Sequence, residues 1–172
     1  MARIARTLYE AMANNLNLDT KQSYLSESTG FIRVQRYPPI SKGSQGWEVG
    51  DHKDSFMLTI LNQNQLSGIQ VLKDDEWFSV KPVSDELVVS LGHMMQAMSG
   101  DEYVSAKNRV KVNRQEDRII SICYSVFPEH ESLIQSSNYK PFTYNDYCAQ
   151  SQRYMETMGF KVGLQRFKII GN

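Results

Sequence analysis

Short strands separated by turn-forming residues dominate the middle of this chain and limit its fold more than any other feature. Between residues 47 and 128, β-branched and aromatic residues gather in short runs, and Asn, Asp, Gly and Ser interrupt these runs at close intervals. We expect strands at residues 48–51, 57–61, 68–72, 77–82, 86–91, 106–112 and 118–127. Many short strands separated at close intervals by turn residues favour a sandwich or barrel over a sheet of βαβ units.

One helix and one strand are predicted ahead of this region. Ile4, Leu8, Met12 and Leu16 recur at four-residue intervals and predict an amphipathic helix. Residues 31–36 are rich in β-branched side chains and run towards two prolines, which predicts a strand that stops there.

A second helix is predicted near the C-terminus. Thr143, with Asp146 three residues later, resembles a capping box, and Gly159 is a typical C-terminal stop. The predicted fold class is therefore mainly β (α+β), with a β core over about residues 30–128 flanked by an N-terminal and a C-terminal helix. Because no internal boundary is visible, we expect residues 1–172 to form a single domain.

The charge balance and the cysteine count restrict the partners and the compartment. The chain has 19 Lys and Arg against 19 Asp and Glu, without a basic block that would attract nucleic acid or an anionic membrane. Cys123 and Cys148 form neither a disulfide framework nor a zinc pattern, which suits a reducing cytosol. Neither a signal-peptide run nor a membrane-spanning run is visible. We therefore expect a cytoplasmic protein without nucleic-acid or membrane partners.

A histidine and an aspartate two positions apart are the first candidates for chemistry. If His52 and Asp54 stand in a strand, both side chains point to one face, where an imidazole and a carboxylate can hold a metal. A third ligand from a neighbouring strand would complete the facial arrangement typical of non-haem iron. From the tripeptide alone, a solvated polar strand end is the favoured interpretation. Trp47 and Phe56, which flank it, suit either substrate contact or core packing.

An arginine at the start of the last predicted strand is the second candidate. Inside a barrel, Arg118 would need a carboxylate, and a bidentate pair with a small dicarboxylate would satisfy it. A surface arginine at a strand start is the alternative.

The order of these landmarks resembles the C-terminal part of plant 2-oxoglutarate/Fe(II)-dependent dioxygenases, over roughly residues 1–168. The matching segments are HKDSFMLTIL at 52–61, GIQVL at 68–72, WFSVKP at 77–82, LVVSLG at 87–92, NRV at 108–110 and Arg118. The segments FIRVQRYP at 31–38, YKPFTYND at 139–146 and GFKVGLQRF at 159–167 are most similar to gibberellin 2-oxidases of the C20 type and their relatives.

The resemblance implies a double-stranded β-helix, or jelly roll, around an iron site. His52 and Asp54 match the first two iron ligands of the family. Arg118 matches the residue that pairs with the distal carboxylate of 2-oxoglutarate, and Tyr37 matches a tyrosine that lines the same pocket. The implied cofactors are Fe(II) and 2-oxoglutarate, with ascorbate as a further candidate, and the implied partners are dioxygen and a small-molecule substrate. The expected reaction is hydroxylation of a gibberellin-like metabolite in plant secondary metabolism.

Three positions depart from the family pattern. Asn108 stands where the family has its distal histidine, and an amide oxygen is a weaker ligand for iron than imidazole. Ile120 stands where the family has a serine, and we expect Ser121, shifted by one position, to face away from the cosubstrate. His93 follows a glycine near the usual aspartate and is a candidate substitute ligand.

Two functional hypotheses follow. The first is an Fe(II)/2-oxoglutarate-dependent oxygenase whose iron is held by His52, Asp54 and, weakly, Asn108. The second is a truncated, catalytically impaired paralogue, because the resemblance implies that the N-terminal domain of the family is missing and one ligand is replaced.

Overall fold

The structure, a computed structural model, describes residues 1–18, 24–25, 29–37, 47–63, 68–111 and 119–169. For Tyr37, Trp47, Glu48, Gln63, Ile119 and Ile120 only the backbone is described. The described helices are α1 Ala2–Asn15, α2 His93–Met98 and α3 Tyr144–Met158, followed by a 3-10 helix at Gly163–Arg166. The strands are β1 Gly30–Tyr37, β2 Trp47–His52, β3 Leu58–Gln63, β4 Ile69–Lys73, β5 Glu76–Ser79, β6 Val88–Leu91, β7 Asn108–Lys111, β8 Ile119–Val126, β9 Leu133–Ser136 and β10 Tyr139–Thr143.

Two four-stranded antiparallel sheets form the core, which confirms the expected jelly roll. The first sheet has the strand order β1-β8-β3-β6 and the second has the order β2-β7-β4-β5. Neighbours in space are distant in sequence, as in the pairing of β1 with β8, so long-range contacts define the topology. Both sheets contribute lining residues to one cavity, and this arrangement positions the candidate site.

Side-chain alternation explains how each sheet serves both the cavity and the core. In β3, Thr59 and Leu61 line the cavity, whereas Leu58 and Ile60 are fully buried on the opposite face. In β8, Ser121, Cys123 and Ser125 line the cavity. Leu61 and the small polar side chains of β3 and β8 therefore face the cavity, and Leu58 and Ile60 belong to the core outside the first sheet.

Helix α1 forms as predicted, but a different stripe is buried. Ala5, Tyr9 and Ala13 are at most 5 % exposed and belong to the hydrophobic cluster of Leu58 and Ile60. The predicted stripe packs only partly against that cluster. Two alanines allow the helix backbone to approach closely, and the tyrosine between them fills the remaining space.

The C-terminal helix begins and ends where the sequence indicates. The Thr143 side chain accepts a hydrogen bond from the Asp146 backbone N–H, and the Asp146 carboxylate accepts one from the Thr143 N–H, so the capping box is present. Gly159 ends the helix in the left-handed region, at φ +77°. No helix in the described part of the chain is long and apolar enough to cross a membrane.

Candidate metal centre

A cavity of about 370 Å³ lies between the two sheets, and aliphatic and aromatic side chains form about half of its lining. Its polar lining includes His52 and Asp54 at one side, with Asn108 beside them. The cavity therefore combines apolar walls with polar groups at defined places, as is usual for a small-molecule site.

His52 and Asp54 converge as the sequence predicts, although by a different local structure. β2 ends at His52, and Asp54 lies in the irregular segment that follows, so the two residues do not share a strand. The His52 Nε2 atom nevertheless lies 3.5 Å from Asp54 Oδ1. His52 Nδ1 lies 2.9 Å from the Gly50 carbonyl oxygen, to which it can donate. In that neutral tautomer Nε2 carries the lone pair that can bind a metal, whereas in the protonated ring Nε2 can donate to Asp54.

Asn108 lies directly across from His52. The two residues are paired in the antiparallel register of β2 and β7, and both line the cavity. Among the described residues, no three His, Cys, Asp or Glu side chains lie close enough together to hold a metal ion. A third side-chain donor beside His52 and Asp54 in that part of the chain would therefore be of another type, and the Asn108 amide lies across from His52 on the same cavity.

The local hydrogen bonds favour the charged form of the pair. Burial raises the pKa of the Asp54 carboxyl, but hydrogen bonds with His52 and Ser90 outweigh it, and the net pKa lies below its ordinary value. The hydrogen bond with Asp54 raises the pKa of His52, against the opposing effect of burial. Asp54 is thus a carboxylate at neutral pH, which is the form that binds a cation.

The position of Asp54 is set by three backbone hydrogen bonds from the start of α2. The N–H groups of Gly92, His93 and Met94 donate to the carbonyl oxygens of Met57, Asp54 and Phe56, at 2.9, 2.8 and 3.1 Å. A Cβ added at Gly92 would lie 2.0 Å from the Phe56 carbonyl oxygen. Only glycine permits this approach, so the turn at Gly92 holds the segment that carries Asp54.

A row of hydroxyl groups extends from Asp54 across the first sheet. Ser90 donates to Asp54 Oδ2 at 2.9 Å, and Thr59 and Ser125 lie 3.0 Å apart, oxygen to oxygen. Ser90, Thr59 and Ser125 are cross-strand neighbours on β6, β3 and β8. Sequence reasoning missed this support, and the only signal was the presence of serines within the apolar runs of β6 and β8.

His93 is a structural residue and does not line the cavity. Its Nδ1 atom lies 2.7 Å from the Tyr147 hydroxyl oxygen, and its ring packs against Gly163. Burial lowers its pKa to about 4, so the ring is neutral at neutral pH. As a candidate substitute ligand, His93 is not brought together with His52 and Asp54 at the cavity.

The predicted cosubstrate residues are only partly described. Arg118 lies outside the described residues, and Tyr37 ends β1 with its side chain outside them. Ser121, by contrast, is 5 % exposed and lines the cavity, so the expectation that it faces away is wrong. In the register of β1 and β8, Ser121 pairs with Gln35, another cavity residue.

Comparison with known proteins identifies the family. The family model described as the 2OG-Fe(II) oxygenase superfamily matches residues 28–125, more than half of the chain. The chain belongs to this superfamily. The match contains both sheets except the last residue of β8, and it contains His52, Asp54 and Asn108.

Several plant oxygenases of this superfamily are similar in sequence. The chain is 37 % identical over 144 residues to gibberellin 2-beta-dioxygenase 8 of Arabidopsis thaliana, covering 81 % of this chain and 42 % of that protein. It is 33 % identical over 180 residues to gibberellin 2-beta-dioxygenase 6 of Oryza sativa subsp. japonica, covering 97 % and 50 %. The chain thus spans about half the length of the curated relatives it matches.

Solved oxygenase structures share the fold. JOX2 in complex with 2OG, Fe and JA superposes with a TM-score of 0.78 at 27 % identity, covering 98 % of this chain and 52 % of JOX2. Full-length Neurospora crassa T7H in complex with alpha-KG gives a TM-score of 0.77 at 22 % identity, covering 87 % and 56 %.

The donor set suits the iron that this superfamily uses at two of three positions. His52 offers a free imidazole nitrogen and Asp54 a carboxylate oxygen, and both are typical ligands of non-haem iron. The third position, at Asn108, offers an amide oxygen, which is a weaker donor.

Proposed function

We propose that this chain is the iron- and 2-oxoglutarate-binding part of an oxygenase that hydroxylates a small plant metabolite of the gibberellin type. The observation that carries this proposal is the convergence of His52 and Asp54 on an apolar cavity in a chain of the 2OG-Fe(II) oxygenase superfamily. The similarity to two gibberellin 2-beta-dioxygenases supports the substrate class.

Each residue has a distinct role in this proposal. His52 Nε2, Asp54 Oδ1 and the Asn108 amide oxygen hold the iron, and Ser90 restrains the other carboxylate oxygen of Asp54. Arg118 and Tyr37 hold 2-oxoglutarate. When bound, Fe(II) with 2-oxoglutarate and dioxygen supplies the oxidising power needed to attack an unactivated carbon. The aliphatic wall excludes water from the substrate and orients it.

One specific observation supports the second candidate, a catalytically impaired oxygenase. The position across from His52 carries an amide instead of an imidazole, so the iron has one strong donor fewer. The fold and the cavity are common to both candidates, and the comparisons do not favour this one. An active and an impaired oxygenase would differ in whether the protein binds Fe(II) at the Fe(II) concentrations used for turnover.

Oxygen-dependent conversion of 2-oxoglutarate to succinate, with Fe(II) and ascorbate, is the direct test of activity. We expect succinate from the native chain and none from Asp54→Ala, which removes the only carboxylate among the described residues that line the cavity. Glu10→Ala is the control, because Glu10 lies on an exposed face of α1, away from the cavity. An inactive native chain, or an active Asp54→Ala variant, would contradict the first proposal.

Replacing Asn108 by histidine tests whether residue 108 is the third donor of the metal site. We expect Asn108→His to bind Fe(II) at least about tenfold more tightly in an anaerobic titration, because loss of one ligand commonly costs that much affinity or more. Unchanged affinity would mean that residue 108 does not contribute to the metal site.

A further inference from the structure

Arg33 places a positive charge at the cavity wall. It is not among the residues proposed to bind iron or 2-oxoglutarate. Among the described residues that line the cavity, Arg33 is the only lysine or arginine, and Asp54 is the only aspartate or glutamate. Arg33 is itself exposed, which puts its charge at the open side of the cavity. A charge in this place selects the ligands that enter.

The guanidinium of Arg33 is available to a ligand. No ion pair joins it to a carboxylate of the described residues. Its Cζ atom lies 5.4 Å from the centroid of the Phe31 ring. An arginine that rests on an aromatic ring keeps its in-plane N–H donors free, and these donors match a carboxylate in a bidentate pair.

A neighbouring thiol supports this location of the charge. Arg33 is the cross-strand partner of Cys123, and both residues line the cavity. Burial raises the pKa of the Cys123 thiol, and the charge of Arg33 opposes that rise. The guanidinium therefore acts on the inner face of the first sheet.

The backbone of Arg33 lies on the opposite edge of the first sheet from Ser90, which binds Asp54. Ser90, which binds Asp54, is followed across the first sheet by Thr59, Ser125 and Phe31 on successive strands. Three strand spacings of about 4.8 Å separate Ser90 from Phe31 by about 14 Å, and Arg33 lies about 7 Å further along β1. A ligand that contacts both the iron ligands and Arg33 therefore extends along the inner face of the first sheet from β6 towards β1.

The wall between these two ends is apolar. Leu61 and Val88 from the first sheet and Val71 and Val110 from the second line the same cavity. A ligand that fits has an apolar body, one end at the iron ligands and an anionic group at the other end.

We propose that Arg33 binds the carboxylate of the organic substrate, so that the cavity selects apolar acids whose carboxylate is remote from the carbon to be oxidised. This inference rests on the proposed function, because it needs the reacting carbon near His52 and Asp54. It adds a substrate-binding residue and a substrate class to that function. A carboxylate is also offered by 2-oxoglutarate, so the test separates the two sources.

The test measures binding under Fe(II) without oxygen, by calorimetry. The ligands are gibberellic acid, indole-3-acetic acid and decanoic acid, each with its methyl ester, and 2-oxoglutarate in a separate titration. The variants are Arg33→Gln, Arg33→Lys and the control Arg36→Gln. Arg36 is exposed on the same strand but does not line the cavity. Thermal unfolding confirms that each variant is folded.

We expect at least one acid to bind the native chain, and Arg33→Gln to weaken it about tenfold or more, as for loss of a charged hydrogen bond. Arg33→Lys should recover part of this loss, and Arg36→Gln should show none. The matching ester should bind weakly to all variants, and the affinity for 2-oxoglutarate should not change.

Three results would overturn the inference: no acid binds the native chain, Arg33→Gln affects acid and ester equally, or it weakens 2-oxoglutarate and leaves the acid unchanged. Succinate formation is scored separately. Arg33-dependent acid binding without turnover would refute the proposed oxygenase and keep the acid site. Turnover with Arg33-independent acid binding would refute this inference alone.

Discussion

Asp54 illustrates how a single side chain depends on partners that are distant in the sequence. Its two carboxylate oxygens lie against His52 and Ser90, and its carbonyl oxygen accepts from the His93 N–H. The short spacing of His52 and Asp54 made that pair predictable. Ser90 and Gly92 were not, because nothing in a single sequence indicates that residues 36 or more positions away will pack against Asp54.

Asp101 is the centre of a second polar cluster, at the turn after α2. It accepts hydrogen bonds from Tyr139 and Gln96 and pairs with Lys168 at 3.2 Å. Burial raises the pKa of Asp101, but these partners outweigh it, and the net pKa lies below its ordinary value of 3.8. The charged Asp101 carboxylate therefore stabilises the folded protein fully at pH values above 3.8. This stabilisation is lost as the pH falls through the lowered pKa of Asp101 in the folded protein.

Replacing this carboxylate should change the acid dependence of stability. We expect Asp101→Asn to be less stable than the native chain near neutral pH, with a gap that closes as the pH falls below about 4. Urea unfolding at several pH values measures it. Asp85→Asn is a matched control, because Asp85 is exposed and both residues have positive φ, at 63° and 72°. If the difference in unfolding free energy between Asp101→Asn and the native chain is the same at all pH values, the charge of Asp101 is not its cause.

At the scale of elements, α2 connects the core to the site. All of its residues except Gln96 are buried, and its first turn binds the segment of Asp54 and Phe56 through backbone hydrogen bonds. The run Met94–Met98 is typical of adaptable core filler in sequence, and a helix of six residues is too short to show a helical period.

Gly92 should be the most sensitive glycine of this region. Its substitution by alanine places Cβ against the Phe56 backbone, which cannot move without displacing Asp54. We expect Gly92→Ala to lower the free energy of unfolding by roughly 2–4 kcal/mol and to weaken Fe(II) binding. Gly50→Ala is the control, because no atom of the described residues lies within 4 Å of a Cβ added at Gly50. Equal effects of the two substitutions, in denaturant unfolding and metal titration, would contradict the role of Gly92.

Elements defined by local sequence patterns were predictable, and elements that depend on distant contacts were not. The strands of the two sheets lie within a few residues of the predicted runs, because alternation and turn residues are local signals. The hairpin of β9 and β10 and the helix α2 were missed. β10 contains Pro141, which argues against a strand, and Tyr139 and Phe142 are held instead by burial in the core.

At the scale of the molecule, the outer face of the first sheet is incompletely covered. β1 is one of its two edge strands, and Ile32 and Val34 of β1 are 64 % and 65 % exposed, next to Ile122 at 40 %. These three residues form a contiguous apolar patch across β1 and β8, because Val34 pairs with Ile122. An apolar patch on an edge strand favours self-association.

Adding a charge to this patch should reduce association. We expect Val34→Lys to lower the apparent particle size at high protein concentration in light scattering, with little effect on thermal stability. Val83→Lys adds the same charge at another valine that is 55 % exposed, away from β1. If both variants reduce association equally, net charge is responsible and the patch is not.

The three candidate ligands belong to different layers of the molecule. His52 and Asn108 are part of the second sheet, whereas Asp54 is bound through Ser90 to the first. A cation shared among them would act as a cross-link between the layers. Loss of that ion would therefore weaken the connection between the two sheets. Protein purified without iron would unfold at a lower temperature than protein purified with it.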